Sequence, residues 1–420
     1  MGIVKRFPGI GIFETTFLDY RYMYQRMSNR PQFSFLGVLL FLLFHHALMT
    51  FSLQYPILSR RDALLTGMSG TLMLSPQLEQ RLTNFAKAFE NKRPDSMLLR
   101  TNEPADPSNP YKGKLQMPTV GYSFYKTKDN VDECLRIALF NEVTMIDVAT
   151  QYGTNDAIGQ ILRDLGITGG NVPTKGMRNL VFFHHKISNS DQSASIKEVK
   201  QNVRREMRKL GLDGKKSFLD LVSIHSPLTD KERRLTSYRA LLELQEEGII
   251  KAVGVCNYGV GALNEIIEAG MPAPAINQLE LSPFNQHKDV VAWALKHDMK
   301  LSCAAWSKLS SVNGPQKEWD ILAGIAKQKS ATKAQILVLW ALQMGYNCVP
   351  RSGAGSKLEK LAILENSYKG VNRIEALTEE ELDILNGLDV GLTAGHLGRR
   401  DGWDDDDVSG DDWDPTNFVK

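Results

Sequence analysis

Cysteine is scarce in this chain: there are four among 420 residues, with no C-x-x-C pair and no spacing typical of a zinc site. The scarcity argues against a disulfide-stapled scaffold and gives no reason to predict a metal site. Three of the four, Cys256, Cys303 and Cys348, fall within apolar strand-like runs. We therefore expect buried thiols that pack as small hydrophobic side chains.

A large charge of one sign is missing as well. The formal net charge is +2, from 50 Lys and Arg against 48 Asp and Glu. This balance gives no support to a broad basic surface for nucleic acid. The 42% of hydrophobic residues is ordinary for a chain that buries a sizeable core.

Charged residues are absent from residues 31–59. The stretch 33–53 reaches the ~20 residues that a spanning helix needs, while its densest part, 35–44, fits the apolar core of a signal peptide equally well. Residues 1–60 are thus predicted to be a targeting or membrane-anchor segment, and an anchor, a removed signal and a buried core helix stay open as alternatives. Basic residues before the stretch favour a cytosolic N-terminus. The rest of the chain would then be anchored to a membrane or sent to an organelle or secretory compartment rather than stay cytoplasmic, although no N-x-[ST] sequon supports an ER lumen.

Residues 61–112 are predicted to be a linker with one helix, and residues 113–390 show a repeating pattern. Apolar runs occur at 119–122, 144–147, 180–186, 218–225, 252–257, 276–281, 301–306 and 347–352, with amphipathic stretches between them. Such alternation indicates a parallel sheet with helical crossovers. Eight strands in about 270 residues predict a closed (β/α)₈ TIM barrel.

A glycine-rich phosphate-binding turn is also absent, because the chain contains no G-x-G-x-x-G. An open, doubly wound sheet usually carries that turn after its first strand, so the barrel is favoured. Beyond it, residues 391–420 form an acidic tail with eight aspartates, Trp403 and Trp413. Like charges repel, so we expect disorder there, with a flap at the barrel mouth as the alternative.

Four chemically active side chains lie at or just after the ends of three successive predicted strands. Asp147 ends the second strand and Tyr152 follows it in the loop, while Lys186 and His225 end the third and the fourth. Function in such a barrel gathers at the C-terminal ends of the strands. Each residue alone has an ordinary explanation, such as a helix cap, rim packing or a solvated strand end. Four consecutive positions of these types are harder to explain that way.

Carbonyl reduction is the chemistry that needs this set. Hydride addition leaves negative charge on the carbonyl oxygen, which then needs a proton or a hydrogen bond. Tyr152 can supply the proton, and a nearby Lys186 favours the tyrosinate and eases proton release. Asp147 balances the charge of the lysine, and His225 can orient the carbonyl. We therefore expect Tyr152 to be the general acid.

The motifs MPTVGYSF, IDVATQYGTNDAIGQIL, VFFHHK, LDLVSIHSP, GIIKAVGVCN, INQLELSPF and AAWSKL occur in this order. Together they resemble the successive signatures of the aldo-keto reductase superfamily, over about residues 115–388. The resemblance implies an NADP(H)-dependent oxidoreductase that reduces aldehydes or ketones to alcohols. It assigns the catalytic tetrad to Asp147, Tyr152, Lys186 and His225. Where the family often has Gly-Thr, this chain has Ser123-Phe124, which would narrow the pocket below the nicotinamide.

The resemblance also implies cofactor contacts. Asn257 and Gln278 match residues that hold the nicotinamide carboxamide, Cys256 stands where a serine commonly assists, and Trp306 stands where an aromatic side chain stacks on the ring. The remaining matches are Ser307 at the pyrophosphate, Arg351, Ser352 and Lys357 at the 2′-phosphate, and Glu365 and Asn366 at the adenine. NADP is therefore favoured over NAD, with arginine and lysine beside a serine as a reasonable phosphate receptor.

Two other classes of function stay open. One is a catalytically weak, aldo-keto reductase-like barrel that binds cofactor as a sensor or as a subunit of a membrane assembly. Its motivation is the hydrophobic segment 33–53, the acidic tail and the Ser123-Phe124 departure. The other is an aldolase-like barrel with a Schiff base on Lys186, since fold does not fix function. The sequence names neither a substrate nor an oligomeric state.

Overall fold

The structure is a computed structural model. It describes residues 96–102, 113–125, 127–169, 178–214, 217–304, 306, 316–350 and 362–391. The predicted targeting segment, the linker helix and the acidic tail lie outside the described residues, and those interpretations stay predictions. In the described part of the chain, no helix is both long and apolar enough to cross a membrane.

Eight parallel strands form one sheet, in which each strand pairs with its neighbours in chain order. They are β3 (Gly121–Ser123), β4 (Met145–Ala149), β5 (Phe182–Ile187), β6 (Leu219–Ile224), β7 (Ile250–Cys256), β8 (Ile276–Leu279), β9 (Lys300–Cys303) and β10 (Asn347–Cys348). A parallel bridge between Val120 and Cys348 joins the two ends of the sheet. The amide of Cys348 also donates to the carbonyl of Thr119 at 2.9 Å. The predicted (β/α)₈ barrel is thereby confirmed.

At least one helix lies between every two consecutive strands of the barrel. The helices are α1 (Val131–Phe140), α2 (Asn155–Asp164), α3 (Ile196–Lys209), α4 (Lys231–Glu246), α5 (Val260–Glu268), α6 (Lys288–Lys296), α7 (Gln316–Gln328), α8 (Lys333–Gln343), α9 (Tyr368–Val371) and α10 (Glu379–Asn386). Polar side chains cap the N-termini of several helices. Asp230 accepts from the amide of Arg233 at 2.8 Å before α4, and Thr332 forms a capping box before α8. Such caps satisfy amides that have no partner within the helix.

A hairpin precedes the barrel and was not predicted. β1 (Ser96–Arg100) pairs antiparallel with β2 (Lys114–Pro118), and β1 lies in the polar stretch interpreted as linker. Leu99 and Met117 of the hairpin are fully buried, in one cluster with residues that begin barrel strands, such as Met145 and Ile276. The hairpin therefore covers the N-terminal ends of the strands and leaves the opposite end for a site.

Side chains alternate along each strand, as the two-residue period of a strand requires. In β4, Ile146 and Val148 belong to the main hydrophobic core cluster, while Asp147 between them does not. Asp147 thus lies within β4 rather than at its end, where the sequence interpretation put it. All four cysteines are buried and free, as predicted.

Candidate active site

The four residues of the proposed tetrad come together at the C-terminal half of neighbouring strands. Asp147 is the third residue of β4, Lys186 the fifth of β5, and His225 directly follows β6. Tyr152 ends a short 3₁₀ turn, Thr150–Tyr152, that follows β4. Adjacent parallel strands bring such positions together, because their C-terminal ends lie at the same edge.

Asp147 and Lys186 form a buried ion pair between Oδ1 and Nζ. Burial by itself would raise the pKa of Asp147, but Lys186 and His184 outweigh it and hold that pKa below its usual range. Burial likewise opposes the ammonium of Lys186, yet Asp147 raises the pKa of Lys186 above its ordinary value. Both groups therefore stay charged at neutral pH.

Tyr152 lies over this pair. Its ring centroid is 5.1 Å from Lys186 Nζ and 5.8 Å from the His225 ring, which it meets edge-on. Desolvation by the surrounding protein raises the pKa of Tyr152 to about 12, and Lys186 offsets this only in part. The phenol therefore keeps its proton at neutral pH, in contrast to the tyrosinate that a neighbouring lysine favours in the sequence argument.

His225 is also neutral. Burial, followed by the charge of Lys186, lowers the pKa of His225 well below its ordinary value. A neutral phenol and a neutral imidazole thus lie side by side above a charged pair. Both can donate hydrogen bonds to an oxygen that develops negative charge.

Two of the predicted nicotinamide contacts touch the tetrad directly. Gln278 Nε2 donates to Asp147 Oδ2 at 3.0 Å, and Asn257 Nδ2 donates to the carbonyl of His225 at 3.0 Å. Asn257 has a φ of 61°, a left-handed conformation that is uncommon for a residue other than glycine. Such outliers concentrate at functional sites.

Cys256 pairs in register with Gln278 and is buried. Desolvation raises the pKa of Cys256 to about 12, so its thiol stays protonated beside the tetrad. Trp306 is buried as well, and its Nε1 donates to the carbonyl of Leu281 at 2.8 Å. The structure therefore fixes the indole by a hydrogen bond to the segment that follows β8.

The predicted adenine contacts lie farther along the chain. The carbonyl of Glu365 accepts from Gln335 Nε2 of α8 at 3.1 Å, and Asn366 is buried next to it. Asn366 Oδ1 has no hydrogen-bond partner among the described residues. A buried amide oxygen without a partner suits the exocyclic amine of adenine, so this observation fits a bound dinucleotide. Ser307, Arg351, Ser352 and Lys357 lie outside the described residues.

The two residues of the Ser123-Phe124 departure lie in different surroundings. Phe124 is fully buried in the main hydrophobic core, with its ring centroid 5.0 Å from that of Tyr122. Phe124 therefore packs in the core, and the narrowing of a pocket below the nicotinamide stays a prediction. Ser123 pairs with Asp147 in register, so of the two residues Ser123 is the one beside the site.

The sequence interpretation missed a row of polar residues inside the barrel. His184 and Ser223 lie two positions before Lys186 and His225, on the same face of β5 and β6. Ser302 and Asn347 continue the row, with Ser302 Oγ donating to Asn347 Oδ1 at 2.6 Å. The two-residue period of a strand was the signal that could have found the first two.

These features define a barrel oxidoreductase, and comparison with known proteins gives the family. The sequence profile of the aldo/keto reductase family matches residues 119–386 of this chain. The methylglyoxal reductase DkgA of Escherichia coli is 27% identical over 293 residues, which are 69% of this chain and 97% of that protein. This chain belongs to the aldo/keto reductase family.

Solved structures agree with this assignment. An aldo/keto reductase from Brucella melitensis has a TM-score of 0.56 and 26% identity, over 70% of this chain and all of that one. A mutant of the protein Gox0644 in complex with NADPH has a TM-score of 0.57 over 77% of this chain and 99% of that one. At 20% identity, the second likeness shows the fold alone.

Proposed function

We propose that this protein reduces aldehydes or ketones to alcohols with NADPH, and that Tyr152 is the general acid. The observation that carries the proposal is the contact between the Tyr152 ring and the buried Lys186, which is itself paired with Asp147. His225 beside them completes the set. A structural ion pair alone would not require a phenol and an imidazole above it.

Each side chain has a separate task. NADPH, when bound, supplies the hydride to the carbonyl carbon. The phenol of Tyr152 gives its proton to the carbonyl oxygen, and a pKa of about 12 keeps that proton in place until negative charge develops. The neutral imidazole of His225 orients the same oxygen by a hydrogen bond. The charge of Lys186 stabilises the phenolate that remains, and Asp147 keeps the lysine charged.

The cofactor contacts support the dinucleotide. Asn257 and Gln278 would face the nicotinamide carboxamide, Cys256 and Trp306 would lie beside the ring, and Asn366 Oδ1 is a free acceptor for adenine among the described residues. The family resemblance matches Arg351, Ser352 and Lys357 to residues that hold the 2′-phosphate of the cofactor, and this favours NADP over NAD.

The substrate class is proposed from the relatives. The relatives named methylglyoxal reductase DkgA match this chain over 97% and 93% of their own length. We therefore propose small 2-oxoaldehydes, with methylglyoxal as the first probe. Simple aldehydes and ketones serve as comparison substrates.

The test uses the full chain, NADPH and this panel of carbonyls, with the fall in NADPH absorbance as the readout. Tyr152→Phe should still bind NADPH, measured by quenching of tryptophan fluorescence, and should lose at least about a hundredfold in turnover, the lower range for general acid–base catalysis. Unchanged turnover would refute the role of Tyr152. Binding of NADPH without oxidation by any carbonyl would favour the sensor hypothesis instead. Borohydride trapping of a carbonyl on Lys186 would favour the Schiff-base alternative.

A further inference from the structure

One buried histidine lies directly below the tetrad and has no part in the mechanism above. His184 is completely buried, two residues before Lys186 on the same face of β5. Its Nδ1 lies 3.0 Å from Asp147 Oδ2. Its Nε2 lies 2.8 Å from Ser223 Oγ. The ring thus bridges β4 and β6 beneath the Asp147–Lys186 pair.

These contacts fix one tautomer. The carboxylate of Asp147 only accepts hydrogen bonds, so Nδ1 of a neutral His184 must carry the proton. Nε2 is then an acceptor, and the hydroxyl of Ser223 donates to it. Burial lowers the pKa of His184 despite the neighbouring Asp147, which keeps the ring neutral.

The backbone around Ser223 is adapted to this arrangement. A Cβ added at Gly254 of β7 would lie 2.5 Å from Ser223 Oγ and 2.8 Å from a side-chain atom of Ile276. A side chain at position 254 would therefore push the hydroxyl away from the ring. Gly254 leaves the space in which Ser223 can hold His184.

Asp147 Oδ2 accepts from Gln278 Nε2 at 3.0 Å and lies 3.0 Å from His184 Nδ1, which places both nitrogens as its possible donors. Gln278 also matches a residue that contacts the nicotinamide carboxamide, so its amide has a second task when cofactor is bound. His184 has no such task, because its other nitrogen is occupied by Ser223. Of the two donors, His184 is the one whose position does not depend on the cofactor.

We propose that His184 is a positioning residue for catalysis: through Nδ1–H it holds the Asp147 carboxylate in the orientation that places Lys186 under Tyr152, and Ser223 sets its tautomer. The inference rests on the proposed reductase function. It adds to the tetrad a residue that touches neither the substrate nor the cofactor.

Two substitutions separate the two nitrogens of the ring. In His184→Asn the amide nitrogen can occupy the place of Nδ1 and still donate to Asp147. In His184→Gln the amide reaches the place of Nε2, and the donor to Asp147 is lost. We expect His184→Asn to keep kcat within about threefold of the wild type and His184→Gln to lose about tenfold or more, as for a hydrogen bond to a charged group.

The matched control is the next residue, His185, which is equally buried and whose Nε2 lies 3.5 Å from Thr150 Oγ1. His185→Asn and His185→Gln should differ from each other by less than about threefold in kcat. Thermal unfolding of all four variants identifies any loss of folding. Equal losses in His184→Asn and His184→Gln would overturn the proposal, because a purely structural histidine does not distinguish the two amides.

A second measurement does not depend on turnover. In cofactor-free protein with ¹⁵N-labelled histidine, the resonances lost in His184→Asn assign His184, and their shifts give its tautomer. We expect Nδ1–H in the wild type and a changed signal in Ser223→Ala. An Nε2–H tautomer would overturn the inference whatever the activity. A wild type with the Nδ1–H tautomer but no reductase activity would refute the proposed function and leave the geometry supported.

Discussion

Removing the charge of Lys186 tests the electrostatics of the whole site. In Lys186→Met the carboxylate of Asp147, 1% exposed, loses its ionic partner. It keeps the amide of Gln278 and the neutral ring of His184, whose Nδ1 lies 3.0 Å away. Breaking one side of a buried ion pair costs about 3–5 kcal/mol, because the remaining charge has no compensation. Since these two neutral groups remain near the carboxylate, we expect the variant to lose about 3 kcal/mol of unfolding free energy at pH 7. At roughly 2 °C for each kcal/mol in a domain of this size, the Tm should fall by about 6 °C.

The pH dependence gives the sharper test. In the wild type, the pKa of Asp147 is lower in the folded than in the unfolded chain, so its contribution to stability is present above pH ~4 and is lost as the pH falls below that. In Lys186→Met we expect burial, the largest of the influences on Asp147, to outweigh His184 and to raise the folded pKa of Asp147 above the unfolded one. The variant then gains stability from a protonated Asp147 at low pH and loses it as the pH rises through the folded pKa. The deficit relative to the wild type should therefore be smaller at pH 5 than at pH 7.

Thermal unfolding between pH 5 and pH 8 measures this difference. The matched control is Lys288→Met, which removes an exposed lysine paired with Asp389 at 3.1 Å. An exposed pair contributes at most about 1 kcal/mol, so this variant should unfold close to the wild type. Asp147→Asn combined with Lys186→Met should be more stable at pH 7 than Lys186→Met alone. A single variant as stable as Lys288→Met, or a deficit that does not change with pH, would refute the reasoning.

Three further predictions concern packing and buried groups. Gly159→Ala should destabilise the folded protein by at least about 1–3 kcal/mol, because the added Cβ would lie 1.8 Å from the carbonyl oxygen of Lys209. Gly324→Ala, whose added Cβ would meet no neighbouring atom within 4 Å, should instead stabilise α7 by about 0.5–1 kcal/mol. Unfolding midpoints that move in the same direction in the two variants would contradict this reasoning. Arg234→Met should lower the free energy of unfolding by about 3 kcal/mol, because buried Glu265 loses two bonds of 2.7 and 2.8 Å and keeps only Lys231 Nζ at 3.7 Å. A change below about 1 kcal/mol in thermal unfolding would count against a stabilising role of that pair. A disulfide reagent should label none of the four buried cysteines in the native protein and all four in denaturant; rapid native labelling would show that burial does not protect the thiols.

Much of the fold could be predicted from the amino-acid sequence. Eight apolar runs separated by amphipathic stretches predicted eight parallel strands, and each run corresponds to a strand within a few residues of its predicted bounds. The hairpin was missed because Ser96–Arg100 has neither strict alternation nor a close turn to its partner, and its pairing with Lys114–Pro118 spans a proline-containing stretch. Leu99 becomes fully buried only because it covers the barrel's end.

The residue types predicted at the ends of three successive strands determined which chemistry to expect, because the C-terminal ends of neighbouring strands must meet in a barrel. These residues are Asp147, Tyr152, Lys186 and His225. Their protonation states were beyond the sequence. The phenol of Tyr152 keeps its proton because desolvation outweighs the nearby lysine, and this balance depends on burial and distance. His184 was likewise only one of two adjacent histidines until the strands brought Asp147 and Ser223 to its two nitrogens. Local pattern fixes which residues share a face, whereas contacts between residues 39 positions apart, such as Asp147 and Lys186, exist only once the barrel closes.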